Sequence, residues 1–102
     1  ELGLPDAVLF RTLWDIAQIE RKLGRLEAAI GVWSDLSASR NPFRVQALEE
    51  LAKHYEHRER NPAMALEMTR AAMDLEETPE LKRREQRLRQ RLEKRRNRLP
   101  GC

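Results

Sequence analysis

The sequence predicts an all-α protein built from antiparallel helical hairpins, and three observations lead to that fold class. Apolar residues recur at intervals of three and four along most of the chain, which is the period of one face of an α-helix. A helix-capping residue precedes proline three times, at Asn41-Pro42, Asn61-Pro62 and Thr78-Pro79. No stretch shows the β-branched alternation of a strand. We therefore expect five helices, at about 5–23, 25–39, 42–59, 62–76 and 79–98, with short turns that make neighbours antiparallel.

The first two helices are expected to form one hairpin, at about 5–39. Pro5 and Asp6 suit a first helical turn, where proline loses no hydrogen bond and a carboxylate faces the positive end of the helix dipole. Gly24 should end the first helix, because glycine readily takes the left-handed conformation just past a helix C-terminus. The residues expected to face the core are Leu9, Leu13, Ile16, Ala17 and Ile19, followed by Leu26, Ala29, Ile30, Val32, Trp33 and Leu36.

The second hairpin is expected at about 42–76, and a terminal helix at about 79–98 should close the domain. The core stripes of the hairpin are Leu48, Leu51, Ala52 and Tyr55 on one helix and Ala65, Met68, Ala72 and Leu75 on the other. The same spacing leaves Glu49, Glu50, Lys53 and Glu56 outside the first of these stripes. The docking seam of the terminal helix consists of Leu81, Leu88, Leu92 and Leu99.

The core positions of the two hairpins repeat at an interval of about 35 residues. The first copy reads Leu13-x2-Ile16-Ala17-x2-Glu20, then Ala29-x3-Trp33, then Pro42; the second reads Leu48-x2-Leu51-Ala52-x2-Tyr55, then Ala65-x3-Thr69-x2-Ala72, then Pro79. This pattern resembles the tetratricopeptide repeat (TPR), whose signature is W-x2-L-G-x2-Y, A-x3-F and P. Glu20 replaces its tyrosine, Thr69 replaces its aromatic residue, and neither copy has the leading tryptophan. The resemblance covers about residues 10–79 and implies two stacked hairpins in a single TPR-like domain.

The TPR resemblance also implies a binding groove, because the first helix of each repeat lines the concave surface in that family. The corresponding positions here are Arg11, Trp14, Gln18, Arg21, Gln46, Glu49, Lys53 and Glu56. A peptide or protein adaptor that uses this groove is therefore one candidate function. Trp14 lies one residue away from the Leu13 stripe, so it is either an exposed anchor or a residue that stacks against a neighbouring domain.

A narrower resemblance suggests a different setting. The segments Leu51-Ala-Lys-His-Tyr-Glu-His-Arg58, Ala65-Leu66 and Leu88-Arg-Gln-Arg-Leu-Glu-Lys94 are similar to the C-terminal helical segment of bacterial predicted exonucleases. Those proteins carry a ribonuclease-H-like catalytic domain upstream, whose acidic residues hold divalent metal ions. The resemblance implies that this chain is the accessory part and that the catalytic part precedes it.

Positive charge is concentrated at one end of the chain. The net charge is +3, yet residues 80–102 alone carry ten Lys and Arg against three Asp and Glu. Once the leucine seam of the terminal helix docks, its arginines should face outward. The residues we expect to contact nucleic-acid phosphates are Arg83, Arg84, Arg87, Arg91, Lys94, Arg95 and Arg98.

Two other interpretations of the basic helix remain open. It could be a capping helix that charge keeps in solution, or it could associate with a second copy or with an acidic surface. No aromatic residue interleaves its arginines, which argues against a platform for stacking single-stranded bases.

The sequence offers no set of residues for catalysis, and we expect neither an enzyme nor a cofactor in this chain. Glu50, His54 and His57 lie on adjacent turns but lack the spacing of a helical zinc motif, so no metal site is expected. The single cysteine, Cys102, cannot form an internal disulfide, and no apolar run is long enough for a bilayer. We therefore expect a cytoplasmic part of a longer protein, whose partner is a protein, an upstream catalytic domain or nucleic acid.

Overall fold

The computed structural model describes residues 4–98, and within that range it contains five α-helices and no strand. The helices are α1 (Leu4–Lys22), α2 (Leu26–Ser37), α3 (Arg44–His57), α4 (Pro62–Leu75) and α5 (Pro79–Arg98). The prediction of an all-α protein with about five helices is confirmed. The stacking of hairpins expected from the TPR resemblance stays a prediction.

The chain divides into two compact units, residues 1–51 and 52–102. Helix α3 contributes its first part to unit 1 and its last turns to unit 2. Within unit 1, α1 packs against α2; within unit 2, α4 packs against α5.

The turn between α1 and α2 has the geometry that the sequence predicts. Gly24 has a φ of +80°, its N–H donates to the carbonyl of Arg21 at 3.1 Å, and the N–H of Arg25 donates to the carbonyl of Glu20 at 2.8 Å. These two bonds form a Schellman motif, which satisfies carbonyl groups that the end of a helix leaves without partners. The predicted stop of the first helix at Gly24 is confirmed.

Unit 1 buries less of α1 than the sequence predicts. Ala17 is buried on α1, and Ala29, Trp33 and Leu36 are buried on α2. Three other predicted core residues of α1 are exposed, namely Leu9, Ile16 and Ile19. Within this unit α2 packs along one side of α1, and one neighbouring helix covers only part of an apolar face as broad as this one.

The third helix begins two residues later than the prediction at Pro42. The side-chain oxygen of Asn41 accepts the N–H of Phe43 at 2.9 Å, while its side-chain nitrogen donates to the carbonyl of Leu36 at 2.8 Å. Asn41 therefore closes a turn and ties it back to α2. The carbonyl of Phe43 accepts the N–H of Ala47 at 2.8 Å, so the helical bonds of α3 start there.

The other two capping predictions are confirmed in unit 2. The side chain of Asn61 accepts the N–H of Met64 at 3.1 Å, and Pro62 is the first residue of α4. The hydroxyl of Thr78 accepts the N–H of Leu81 at 3.2 Å, just before α5 begins at Pro79. Both caps satisfy backbone donors that no helical carbonyl can reach.

The core of unit 2 holds α5 in place through its leucines. Leu88 and Ala65 are fully buried, Leu66 is nearly so, and Tyr55 and Leu92 pack against these three residues. Leu81 is also buried. The predicted docking of the leucine seam is thus confirmed for Leu81, Leu88 and Leu92, whereas Leu99 lies outside the described residues.

The buried side of α4 differs from the predicted core stripe at two positions, Thr69 and Leu75. Thr69, which occupies the aromatic position of the repeat signature, is fully buried, and its hydroxyl donates to the carbonyl of Ala65 at 2.7 Å. The threonine therefore enters the core without an unsatisfied hydroxyl. Leu75 is exposed, contrary to the prediction, because it is the last residue of the helix.

The Asn61 cap gives the first testable prediction. Replacing Asn61 with alanine should lower the free energy of unfolding by about 1 kcal/mol, because the N–H of Met64 loses its acceptor. Urea unfolding followed by circular dichroism measures this loss. Asn61→Ser is the matched control, since serine also caps helices; equal stabilities of the Ala and Ser variants would show that the cap contributes nothing.

Candidate nucleic-acid interface

Helix α5 has one strongly cationic side. With about 100° per residue, the buried leucines mark the side that packs inward, and seven cations occupy an arc of roughly 120° beside it. These residues, which we call the cationic face, are Arg83, Arg84, Arg87, Arg91, Lys94, Arg95 and Arg98. They are the same seven residues that the sequence predicts as phosphate contacts. Arg84 is half-buried and the other six are exposed.

One buried carboxylate binds arginines in the N-terminal part of the cationic face. Glu56, in the last turn of α3, is only 2% exposed. Arg87 donates to both of its carboxylate oxygens, from Nε at 2.8 Å and from Nη2 at 2.9 Å. Arg84 donates to the same carboxylate from Nη1, and the Nη1 of Arg91 lies 3.9 Å from it. Bidentate, charge-assisted bonds of this kind fix orientation as well as charge, so α5 is tied to the end of α3.

The position of Glu56 corrects two expectations. The sequence placed Glu56 outside the core stripe and in a peptide groove, and it placed all the arginines outward. In the structure Glu56 is buried, and Arg84 and Arg87 turn toward it. The reason is that α5 supplies counter-charges beside the Tyr55 stripe, which allows a carboxylate to be buried there.

The ion pairs change how Glu56 titrates. Burial alone would raise the pKa of Glu56, but the hydrogen bonds and charges of Arg87 and Arg84 outweigh it and hold the pKa below its ordinary value. The bond to Glu56 in turn raises the pKa of Arg87. Glu56 is therefore an anion at neutral pH, and it compensates part of the positive charge of α5.

A cleft opens next to this cluster. It has a volume of about 390 Å³ and is lined by Glu56, His57, Arg60, Pro62, Arg91 and Arg95. Arg60 has a φ of +51°, a left-handed conformation that non-glycine residues rarely adopt. The N–H of Asn61 donates to the carbonyl of Tyr55 at 2.7 Å and fixes this turn. Cations from the turn and from α5 therefore line the same cleft.

Within residues 4–98, no carboxylate pairs with the C-terminal part of the cationic face. Lys94, Arg95 and Arg98 have no ion-pair partner among residues 4–98, and neither has Arg60 in the cleft. Arg83 lies 3.7 Å from Glu80 in a largely exposed pair, which contributes little. An anion that approached this end of α5 would meet guanidinium and ammonium groups still available for bonding.

The opposite side of α5 is different in character. There an open cleft exposes mainly apolar surface and is lined by Leu66, Leu92, Arg89, Glu93 and Arg96. Lys82, also away from the cationic face, lies 3.2 Å from Glu77. This side offers cations for control substitutions that lie outside the proposed interface.

The residues expected to line a peptide groove are distributed over both units. In unit 1, Arg11 lies 3.3 Å from Asp15, and Arg21 donates to Gln18 at 3.2 Å. Gln46 and Lys53 on α3 are exposed, and Glu49 is half-buried.

Trp14 is half-buried and does not project as a free anchor. Its ring stacks on Phe43 with a centroid distance of 5.6 Å and an interplanar angle of 12°. Of the two interpretations of Trp14, the structure does not favour a freely exposed anchor, because Phe43, in the turn before α3, supplies an aromatic neighbour within unit 1. The stacking of Trp14 against an upstream domain stays a prediction.

The two histidines have different environments. His54 is buried, and its Nε2 lies 3.4 Å from Glu59, whereas His57 is exposed and 3.7 Å from Glu56. Among the described residues there is no group of three His, Cys, Asp or Glu that could hold a metal ion.

A comparison with known protein families, curated proteins and solved structures gives no match. None of the helices at 4–98 combines the length and the apolar character that a membrane span requires. The TPR and exonuclease resemblances therefore rest on the sequence motifs alone.

Proposed function

We propose that this chain is a non-catalytic TPR-like interaction module whose cationic face holds the phosphate backbone of a nucleic acid. From its resemblance to the C-terminal segment of ribonuclease-H-like exonucleases, we further propose that the module keeps a nucleic acid close to a catalytic domain. Within this proposal, the two units provide a helical scaffold and α5 provides the contact.

The observation that carries the proposal is the surplus of cations on one side of α5. The buried carboxylate of Glu56 compensates the charge of its arginine neighbours in the N-terminal part of the cationic face. Lys94, Arg95 and Arg98 lack any ion-pair partner in the described part of the chain. A helix that only capped the domain would need its leucines and some charge for solubility. The pairs with Glu56 explain Arg84 and Arg87 in such a cap, but they do not explain Lys94, Arg95 and Arg98 on the same arc.

The dimensions suit a sugar-phosphate backbone. At about 1.5 Å per residue, Arg84 to Arg98 spans about 21 Å of helix. Phosphates follow one another at about 3.4 Å of axial rise on one strand of a duplex, so several of them fit along that length. Guanidinium groups offer planar, paired donors that match phosphate oxygens.

The same face is not suited to reading sequence. Residues 79–98 contain no aromatic side chain on which a base could stack. Phosphate contacts carry no sequence information directly. We therefore expect binding to be independent of base sequence and dominated by salt.

Fluorescence anisotropy with a labelled duplex and a labelled single strand tests the proposal. With two to four phosphate contacts, raising the salt concentration from about 50 to about 200 mM should weaken duplex binding roughly 10- to 150-fold. Two duplexes of unrelated sequence should bind equally. Absence of binding at the lower salt concentration would reject the proposal and leave α5 as a charged cap.

A further inference from the structure

Helix α1 carries an apolar surface that unit 1 leaves uncovered. The exposed fractions are 57% for Val8, 52% for Leu9, 42% for Ile16, 55% for Ile19 and 60% for Leu23. Ala17, on the side of α1 that packs inward, is fully buried. The uncovered residues thus form a surface distinct from the core face of the same helix.

The uncovered residues follow the spacing of a helix-pairing seam. Leu9, Thr12, Ile16, Ile19 and Leu23 succeed one another at intervals of three, four, three and four. This 3.5-residue repeat places the first four on one narrow line of α1, as in the a and d positions of a coiled coil. Leu23 continues the line directly after the helix, where its N–H still donates to the carbonyl of Ile19 at 2.9 Å. We call this line the α1 stripe.

We propose that two copies of the chain associate through their α1 stripes, with the two helices antiparallel. A second copy supplies the matching surface, because a twofold axis brings the same stripe to both sides of the interface. Pairing would remove β-branched and leucine side chains from water, which is the main driving force of such associations.

The charges that flank the stripe select the antiparallel orientation. Asp15 and Lys22 lie on one edge of the stripe, and Glu20 lies on the other. In a parallel pair, Asp15 would face Glu20 of the second copy on both sides of the seam, and like charges there destabilise pairing. In an antiparallel pair, the edge that carries Asp15 and Lys22 meets the same edge of the second copy. Asp15 of each copy can then face Lys22 of the other, which gives two favourable contacts.

The same charges select one register. With Ile16 opposite Ile19 of the second copy, Leu23 lies opposite Thr12, and both Asp15–Lys22 contacts form. A shift by one heptad toward the N-terminus would instead place Asp15 against Asp15 of the second copy. Because the shifted arrangement brings like charges together, the charges favour a single register.

Sedimentation equilibrium of the purified chain over a wide concentration range tests the association. The wild-type chain should shift from 12.0 kDa toward twice that mass as its concentration rises. Ile16→Gln and Ile19→Gln together should keep it monomeric with an unchanged circular dichroism spectrum, since both side chains are already exposed. Leu75→Gln, at an exposed leucine on α4, is the matched control and should still dimerise.

Charge reversal tests the orientation and register. Asp15→Lys places two lysines opposite each other, and Lys22→Glu places two carboxylates opposite each other, so each variant alone should associate more weakly than wild type. An equimolar mixture of the two should regain association, because every facing pair then has opposite charge. A monomeric wild type would overturn the proposal, and a mixture no stronger than the single variants would overturn the antiparallel register.

Discussion

Replacing Glu56 with glutamine should lower the free energy of unfolding by about 2–4 kcal/mol, because removing one partner of a buried ion pair leaves the other charges uncompensated. The Glu56 side chain has no exposed surface, and Arg84 beside it is only 17% exposed. Water cannot replace the lost carboxylate beside Arg84 as it would on the surface, whereas Arg87, whose side chain is 47% exposed, regains part of its hydration. The expected loss is therefore smaller than for a pair in which both partners are buried. Chemical unfolding monitored by circular dichroism measures the difference.

A matched control separates this effect from the loss of one negative charge. Glu80→Gln makes the same chemical change at a carboxylate whose side chain is 70% exposed, and it should alter stability by less than about 0.5 kcal/mol. If the two variants were equally stable, the cluster around Glu56 would have no structural role.

The Glu56 cluster also predicts the direction of a pH effect. Because the folded state lowers the pKa of Glu56 from 4.5, its contribution is present at neutral pH and is lost as pH falls through the lowered value. The stability difference between wild type and Glu56→Gln should therefore be constant near neutrality and should shrink on acidification. A difference that grew at low pH would contradict the assignment of Glu56 as the paired anion.

Removing the unpaired cations should cause the largest loss of nucleic-acid affinity. The combined substitution Lys94→Gln, Arg95→Gln and Arg98→Gln should weaken duplex binding at low salt by at least about tenfold. These three residues have no described carboxylate partner, so their replacement should leave the fold intact. Arg84 and Arg87 are unsuitable for this test because their removal would uncover Glu56.

The chain itself supplies the control for that experiment. Replacing Lys82, Arg89 and Arg96 with glutamine removes the same net charge from the same helix, but from outside the cationic face. This control variant should retain most of the affinity. Equal reductions in affinity for both variants would mean that only net charge matters and that α5 has no defined binding face.

Local sequence signals predicted the helices well. Gly24, Asn61 and Thr78 each act on backbone groups within a few residues of themselves, so their effects could be inferred without any tertiary information. The leucines of α5 were predicted by periodicity for the same reason. The start of α3 was predicted wrongly because Asn41 bonds back to Leu36, which a simple capping pattern does not reveal.

The features that the sequence could not predict depend on packing between distant segments. Glu56 and Arg87 are 31 residues apart, and a periodic pattern marks both only as polar. Periodicity likewise grouped Leu9, Ile16 and Ile19 on one face of α1 without showing whether any helix covers it. A clue to Glu56 did exist, since Arg84 and Arg87 lie three residues apart on one side of a docked helix.

The salt dependence of duplex binding tests the phosphate-binding claim most directly. Plots of log affinity against log salt should be linear for the wild type, with a slope of about −2 to −4. The slope for the Lys94, Arg95 and Arg98 variant should be flatter, by about 1 for each phosphate that the variant no longer neutralises. Identical slopes for the two proteins would contradict the assignment of this face as the phosphate-binding surface.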